Sequence, residues 1–379
     1  MNNTKKENMN QCDYLIVGAG FVGSVLAERL ASQKNKKVIV LDRRDHIAGN
    51  AHDRRNEHGI LYHQYGPHIF HTNSDKVFEY LSKFTEWMPY EHRVVGVIDG
   101  RLIPIPFNLT SLEILFPPKK AARLKEKLIQ QYGVDKKVTV LEMLKNTDPE
   151  LSDLADYIYK NVFLGYTTKQ WGLSPEELSP SVTARVPVHI SYDDRYFQDT
   201  HQQMPKHGYT KLIENILNHK NIEVRLNQDY KDAQKKIQYK KLIYTGAIDE
   251  FFDYELGQLP YRSLRFDFQT YQQERHQSAG QVNYPVSHDF TRITEMGYLT
   301  QEQGDKTMVA IEYPMPHVPG ETVPYYPIPR DDNNLLHEKY LDLAKEKAPN
   351  VIFAGRLGDY RYYNMDQAVA SAIAIYDRF

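Results

Sequence analysis

Asp13-Tyr-Leu-Ile-Val-Gly-Ala-Gly-Phe-Val-Gly23-Ser-Val-Leu-Ala-Glu-Arg-Leu30 reads as a buried strand, a tight turn and a helix. Tyr14, Leu15, Ile16 and Val17 form an apolar run too brief for a helix but sufficient for a strand covered on both faces. Gly18, Gly20 and Gly23 then spell G-x-G-x-x-G. In that pattern the first glycine turns the chain, the second lets the backbone approach a pyrophosphate, and the third lets helix and strand pack closely. The free N–H groups and dipole of the new helix would hold the anion. A second apolar run, Lys37-Val-Ile-Val-Leu-Asp42, ends in an acid 24 residues after Gly18, where a dinucleotide fold puts the carboxylate that accepts a ribose hydroxyl. The charge of Asp42 argues against a 2′-phosphorylated ribose, although Arg43 and Arg44 follow it. The bland alternative is a βαβ unit with no ligand.

Composition sets the outer bounds. A chain of 379 residues exceeds a single domain of roughly 100–200, so two or three domains are expected. Lys+Arg 47 against Asp+Glu 49 leaves the charge near zero, which gives no sign of nucleic acid or an anionic membrane as a partner. Cys12 is the only cysteine, so an internal disulfide and a multi-cysteine metal site are excluded, and a reducing, cytoplasmic setting fits best. Residues 1–10 are polar and are expected to be a disordered tail, and no stretch reaches the ~18 apolar residues that span a bilayer.

Farther along, Tyr65-Gly-Pro-His-Ile-Phe-His-Thr72 is barred from regular helix by Gly66-Pro67. His68 and His71 lack a third ligand at a convincing spacing for a metal, which leaves a cofactor face or structural packing. Residues 75–84 read as a helix capped by Asn73 or Ser74, and the runs 92–98 and 101–105 about Asp99-Gly100 read as a β-hairpin. Residues 111–177 are helical in pattern, with Gly133 as a C-cap, Thr139-Val-Leu-Glu142 as a capping box and Asp148-Pro149 as another start. Arg185, beside Val186-Pro187, is either a clamp on an anion or a solvated loop residue. Residues 264–268, 281–284, 290–295 and 307–313 alternate and suggest an antiparallel sheet, and the strand 351–356 leads through Gly355 and Arg356 to a last helix, the second half of a large cofactor's site.

Together these segments resemble the bacterial UDP-galactopyranose mutase family from about Asp13 to the C-terminus. The resemblance is carried by Gly18-Ala-Gly-Phe-Val-Gly23, residues 65–72, Pro106-Phe-Asn108, Gly165-Tyr-Thr-Thr-Lys-Gln-Trp-Gly172, Arg185-Val-Pro-Val188, Gly208-Tyr-Thr-Lys211, Tyr244-Thr-Gly246, Thr291-Arg292, Pro324-Tyr-Tyr-Pro327 and residues 355–366, in that order. It implies an α/β fold with a discontinuous FAD-binding Rossmann-type domain over 11–75, 205–258 and 345–379. An inserted helical domain would cover 108–190, with a mobile loop near 175–196, and a twisted antiparallel β-sheet domain would cover 76–107, 191–204 and 259–344. It also implies a homodimer, a flavin reductant not yet identified, and interconversion of UDP-galactopyranose and UDP-galactofuranose through a covalent adduct between reduced-flavin N5 and the sugar. The product would supply galactofuranose for cell-surface polysaccharide.

By family match, Arg185 and Arg292 would stabilise the departing diphosphate, with Tyr196, Tyr326 and Tyr362 adding hydroxyl donors. The uracil is expected against Tyr166, with Phe163 and Asn283 nearby, and Trp171 would line the sugar pocket. His68 and His71 would border the flavin. FAD would lie among Gly18, Gly20, Phe21, Gly23, Asp42, Arg43, Asn50, Gly66, His68, Gly246, Gly355, Arg356, Asn364 and Met365. Ala48 stands where the family more often has glycine, Asn364 where many members have an acid, and His189 where arginine is frequent. A mutase for a related nucleotide sugar, UDP-N-acetylgalactopyranose or dTDP-fucopyranose, is the alternative, and a flavin oxidoreductase a more distant one.

Overall fold

The computed structural model describes residues 10–178 and 187–379. Strands Gln11–Val17, Val38–Leu41, Ile222–Arg225, Gln238–Tyr244 and Val351–Phe353 form one sheet in the order 222–225, 38–41, 11–17, 238–244, 351–353. Every pairing in it is parallel. Parallel strands are joined by crossovers that cover the sheet's faces, so side chains on both faces are buried; Leu15, Ile16, Val38, Ile39, Val40 and Leu41 are wholly so. The register sets Val17 beside both Leu41 and Tyr244, and Tyr244 beside Phe353. The carboxyl ends of four strands therefore meet at one edge.

Helix Phe21–Lys34 packs between this sheet and helices Tyr209–Leu217 and Met365–Tyr376. It is buried almost all round, including Glu28, whose carboxylate accepts hydrogen bonds from Tyr80 Oη at 2.9 Å and Ser32 Oγ at 2.6 Å. The buried acid is thus satisfied. Far along the chain, Asp53 caps helix Tyr209–Leu217 by accepting from the Tyr209 N–H at 2.6 Å and the Thr210 N–H at 2.9 Å. Gly208 makes this approach possible: a Cβ there would stand 2.5 Å from the Asp53 carboxylate.

A second sheet has seven strands in the order Tyr326–Pro327, Tyr261–Tyr271, Thr307–Pro316, Arg292–Glu295, Gln281–Asn283, Val94–Ile98, Arg101–Ile105. It is not wholly antiparallel as expected, because 281–283 runs parallel to 94–98. These two strands come from distant parts of the chain, so no hairpin fixes their relative direction. The Asp99-Gly100 turn behaves as read, with φ of 48° and 73°, the left-handed pair a tight hairpin requires. Pro104 lies on the edge strand, where a missing N–H costs nothing.

A small sheet of Phe70–Thr72, His201–Pro205 and Trp87–Pro89 escapes the sequence reading, since two of its strands have only three residues and carry too little alternation. The helix expected over 75–84 ends at Leu81, with Ser74 as its cap. Helices Leu109–Leu115, Pro118–Tyr132 and Pro149–Ile158 pack with the 94–105 hairpin around Leu112, Leu124, Leu128, Leu151 and Leu154. No described helix is long and apolar enough to cross a membrane.

The glycine turn depends on close packing that tolerates no side chain. A Cβ on Gly23 would lie 2.0 Å from the carbonyl oxygen of Gly18, whose own N–H is tied to Leu41 O at 2.7 Å. Gly23→Ala should therefore lower stability by about 1–3 kcal/mol, measured by denaturant unfolding; an unchanged midpoint would show that the turn can yield.

Candidate functional site

The sheet edge opens into a first cavity lined by Gly18, Gly20, Phe21, Gly23, Asp42, Arg43, Arg44, Asn50, Gly246, Gly355 and Arg356, among others. Gly18 has φ +103°, and a Cβ on it would collide with Thr245 Oγ1 at 2.0 Å, so only glycine lets the turn pass here. Gly20 and Gly49 bring two loops together: a Cβ on Gly49 would lie 3.1 Å from the Gly20 Cα. Ala48, where the related pattern favours glycine, holds φ 73°, a left-handed conformation that an alanine adopts at some cost. No side chain caps the first turn of helix Phe21–Lys34, and no acid stands in it. Its amide donors are thus offered to the cavity.

The acid and the two arginines after the second strand play different parts. Asp42 is 8% exposed and accepts from the Ala19 N–H at 2.9 Å and the Arg44 N–H at 3.0 Å, which staples the glycine turn to the neighbouring strand end. Arg43 is committed to Glu250 at 2.6 Å. Arg44 gives Nη2 to Asn50 Oδ1 at 2.8 Å, lies over the Tyr65 ring, and keeps a buried Nη1 that has no partner among the described residues. A buried orphan donor of fixed positive charge beside an uncapped helix end fits an anionic dinucleotide. Arg44 is the residue that sequence reading passes over in favour of Arg43.

A second cavity of about 480 Å³ adjoins the first and shares Asn50, His68, Tyr325, Arg356, Asn364 and Met365 with it. Its other walls include Gly66, His71, His92, Phe163, Tyr166, Trp171, Tyr196, Gln281, Arg292, Tyr326 and Tyr362. Phe163 and Tyr166 flank the junction where a π-helical turn, Tyr159–Leu164, passes into helix Gly165–Trp171. The rings of Tyr326 and Tyr362 stack at 5.0 Å, Trp171 stands 6.2 and 5.8 Å from them, and the Arg356 guanidinium lies over both.

Arg292 is the cavity's fixed charge. Its Nε and Nη2 reach Oε2 of the wholly buried Glu312 at 2.9 and 2.7 Å. Burial alone would lower the basicity of this guanidinium, but the Glu312 carboxylate more than offsets it, so the group is held well above its ordinary value and stays charged. Burial also raises the phenols of Tyr166 and Tyr326, which remain donors at neutral pH. Burial, aided by His63, Arg356 and Arg292, pushes His68 down to about 3. Its Nδ1 lies 2.8 Å from the Gly66 carbonyl, which can only accept, so the neutral ring carries its proton there and offers Nε2 as an acceptor.

The structure thus gathers the expected residues around two joined cavities, with two exceptions. Asn283 does not line the second cavity; it accepts from Gln281 Nε2 at 2.9 Å, and Gln281 faces the cavity in its place. The two lie two positions apart on strand Gln281–Asn283 and so share a face, and the alternation of the strand cannot tell which of them meets the cavity. Arg185 lies outside the described residues. Asn364, at the position where an acid is frequent, starts helix Met365–Tyr376 in a capping box with Gln367, a role that an amide serves as well as a carboxylate.

Comparison with known proteins gives consistent findings. The model of the UDP-galactopyranose mutase family matches residues 161–362, and that of an NAD(P)-binding Rossmann-like domain matches residues 16–84. A Klebsiella pneumoniae protein named probable UDP-galactopyranose mutase is 38% identical over 98% of this chain and 95% of its own length. An Escherichia coli dTDP-fucopyranose mutase is 36% identical over 95% of this chain and 96% of its own. Among solved structures, one of reduced UDP-galactopyranose mutase matches with a TM-score of 0.72 at 16% identity, over 97% of this chain and 95% of that one. A putrescine oxidase variant matches with a TM-score of 0.59 at 13% identity, over 97% of this chain and 98% of that one, a likeness of fold alone.

The unequal commitments of the two arginines are open to test. Arg44→Ala should reduce retained dinucleotide at least about tenfold, as expected when a charge-assisted hydrogen bond of roughly 1.5–3 kcal/mol is lost, whereas Arg43→Ala should change it much less. Bound nucleotide per chain after gel filtration measures both. Equal losses would place the anion against the wrong guanidinium.

Proposed function

The chain belongs to the UDP-galactopyranose mutase family and is an isomerase, and from that premise we propose that it interconverts UDP-galactopyranose and UDP-galactofuranose, with FAD in the first cavity and the nucleotide sugar in the second. The observation that carries this reading is Arg292, a cation anchored on the buried Glu312, in a cavity that shares six wall residues with the dinucleotide site. A departing nucleoside diphosphate develops negative charge, and a charge already fixed in place stabilises it without reorganisation. Tyr166 and Tyr326, kept protonated by burial, add hydroxyl donors beside it. Trp171, Tyr326 and Tyr362 supply flat faces for a ring and exclude water.

When bound in its reduced form, FAD supplies a nucleophilic nitrogen for the anomeric carbon. The protein's share is to orient the sugar, to grip the leaving group and to keep His68 neutral between the two chambers. The biological reading that goes with this is a cytoplasmic homodimer, served by a flavin reductant not yet identified, that supplies galactofuranose for cell-surface polysaccharide. The E. coli relative named dTDP-fucopyranose mutase supports a second reading, a mutase for a related nucleotide sugar. A panel of UDP-galactose, UDP-N-acetylgalactosamine and dTDP-fucose furanoses, separated chromatographically, decides between the two.

Dithionite-reduced protein should convert UDP-galactofuranose to the pyranose, while the oxidised protein does so poorly. Equal rates in both redox states would reject the nucleophilic cofactor. Arg292→Ala should lower kcat/KM by about 2–5 kcal/mol of transition-state stabilisation, because it also leaves Glu312 buried without its partner. Turnover near that of wild type would remove Arg292 from the site.

A further inference from the structure

Three histidines line the second cavity, and one of them is in contact with a carboxylate. Burial holds His68 and His92 down to about 3, so both remain neutral across the physiological range. His71 stands on strand Phe70–Thr72, and its Nδ1 lies 3.1 Å from Asp199 Oδ2. Its ring stacks on Phe197 with centroids 3.6 Å apart and planes 13° from parallel. Asp199 is itself held, since Oδ1 accepts from Asn73 Nδ2 at 2.9 Å. The two side chains are 13% and 22% exposed, which leaves the pair partly screened from solvent. An ionised carboxylate only accepts, so Nδ1 carries a proton and Nε2 is the nitrogen left for chemistry. Nε2 has no hydrogen-bond partner among the described residues.

Resting on the mutase reading above, we propose that His71 transfers the proton that ring opening and ring closure require, and that Asp199 positions and charges it. Exchange of a six-membered for a five-membered sugar ring trades one ring oxygen for another. As the C1–O5 bond breaks, its electron pair leaves with O5, and the His71 imidazolium gives O5 a proton. The neutral imidazole then takes the proton of the 4-hydroxyl as the O4 lone pair forms the C1–O4 bond. The imidazolium is restored, and no proton is gained or lost overall. In the reverse direction O4 and O5 exchange roles, so both directions begin from the protonated ring.

The charges around His71 agree with this assignment. Asp199 lies on one side, and contact with His71 keeps its carboxyl below the ordinary range against the opposing effect of burial. His92 packs on the same Phe197 ring and is neutral, while Arg292 stands on the same cavity wall and Lys137 acts on Asp199 from farther off. The adjacent carboxylate accepts from Nδ1 and so fixes Nε2 as the nitrogen left for the sugar.

The test compares wild-type holoprotein with Asp199→Asn and His71→Gln, each reduced and given UDP-galactofuranose. His71→Gln should lose on the order of 100-fold in kcat or more. Asp199→Asn should lose on the order of tenfold or more. Flavin content and calorimetric affinity for UDP should remain within about twofold. Long-range nitrogen–proton NMR of the histidine rings, with the His71 signal assigned by its absence in His71→Gln, should show the proton on Nδ1 in the wild type and a loss of that preference in Asp199→Asn. Unchanged kcat in both variants would overturn the proposal, and so would an unchanged His71 tautomer in Asp199→Asn or UDP affinity falling in step with kcat. If even the wild-type protein converts no sugar, the mutase reading fails; the tautomer change still reports on the pairing of His71 with Asp199. Should His71→Gln not fold, Asp199→Asn carries the test alone.

Discussion

Parallel strands that stop at a common edge leave peptide groups with no neighbour to continue the ladder, and the site of this protein is built on that shortage. Val17, Leu41, Tyr244 and Phe353 end side by side, and the loops that follow them turn outward through Gly18, Asp42, Gly246 and Gly355. Protein groups answer part of the demand: Asp42 takes two backbone donors, and Gly18 reaches across to Leu41. The rest, together with the uncapped first turn of helix Phe21–Lys34, is left for an anion. Cofactor recognition is therefore a completion of backbone hydrogen bonding more than an addition to it.

The second chamber solves a different problem, that of holding a cation fixed in a buried wall. A lone guanidinium in that setting would pay a heavy desolvation cost, and Glu312 removes it by giving one oxygen to both Nε and Nη2. The pair adds little net stability, since each ion has been taken from water. What it secures is position: strands Arg292–Glu295 and Thr307–Pro316 lie side by side with Arg292 opposite Glu312, so the sheet's own register sets where the charge sits.

Features that are local in the chain were legible before any coordinates. Gly18, Gly20 and Gly23 with Asp42 announce the parallel sheet and its ligand, because turn, helix start and strand end all lie within one short stretch. The Asp99-Gly100 hairpin and the Gly133 stop are likewise written into single residues. Contacts across long separations were not. Glu312 and Asp199 are ordinary acids by sequence, and nothing near them names Arg292 or His71 as partners. Asp53, which caps a helix more than a hundred and fifty residues away, is equally silent. Gln281 and Asn283 share a strand face, so alternation cannot say which of them meets the cavity, and nothing in the run Asp42-Arg43-Arg44 shows that Glu250 already holds Arg43. The residues assembled from family resemblance come together around the two cavities where spacing could not place them, since a family pattern carries the fold's long-range contacts with it.

Six residues belong to both chambers, and Arg356 shows what that entails: it leans over Tyr326 and Tyr362 on one side while lining the dinucleotide cavity on the other. Occupancy of either chamber shifts the free energy of the shared wall. By thermodynamic reciprocity, whatever factor the first guest contributes to the affinity of the second, the second must return to the first. The two binding equilibria form a closed cycle, in which neither guest can favour the other without being favoured in turn.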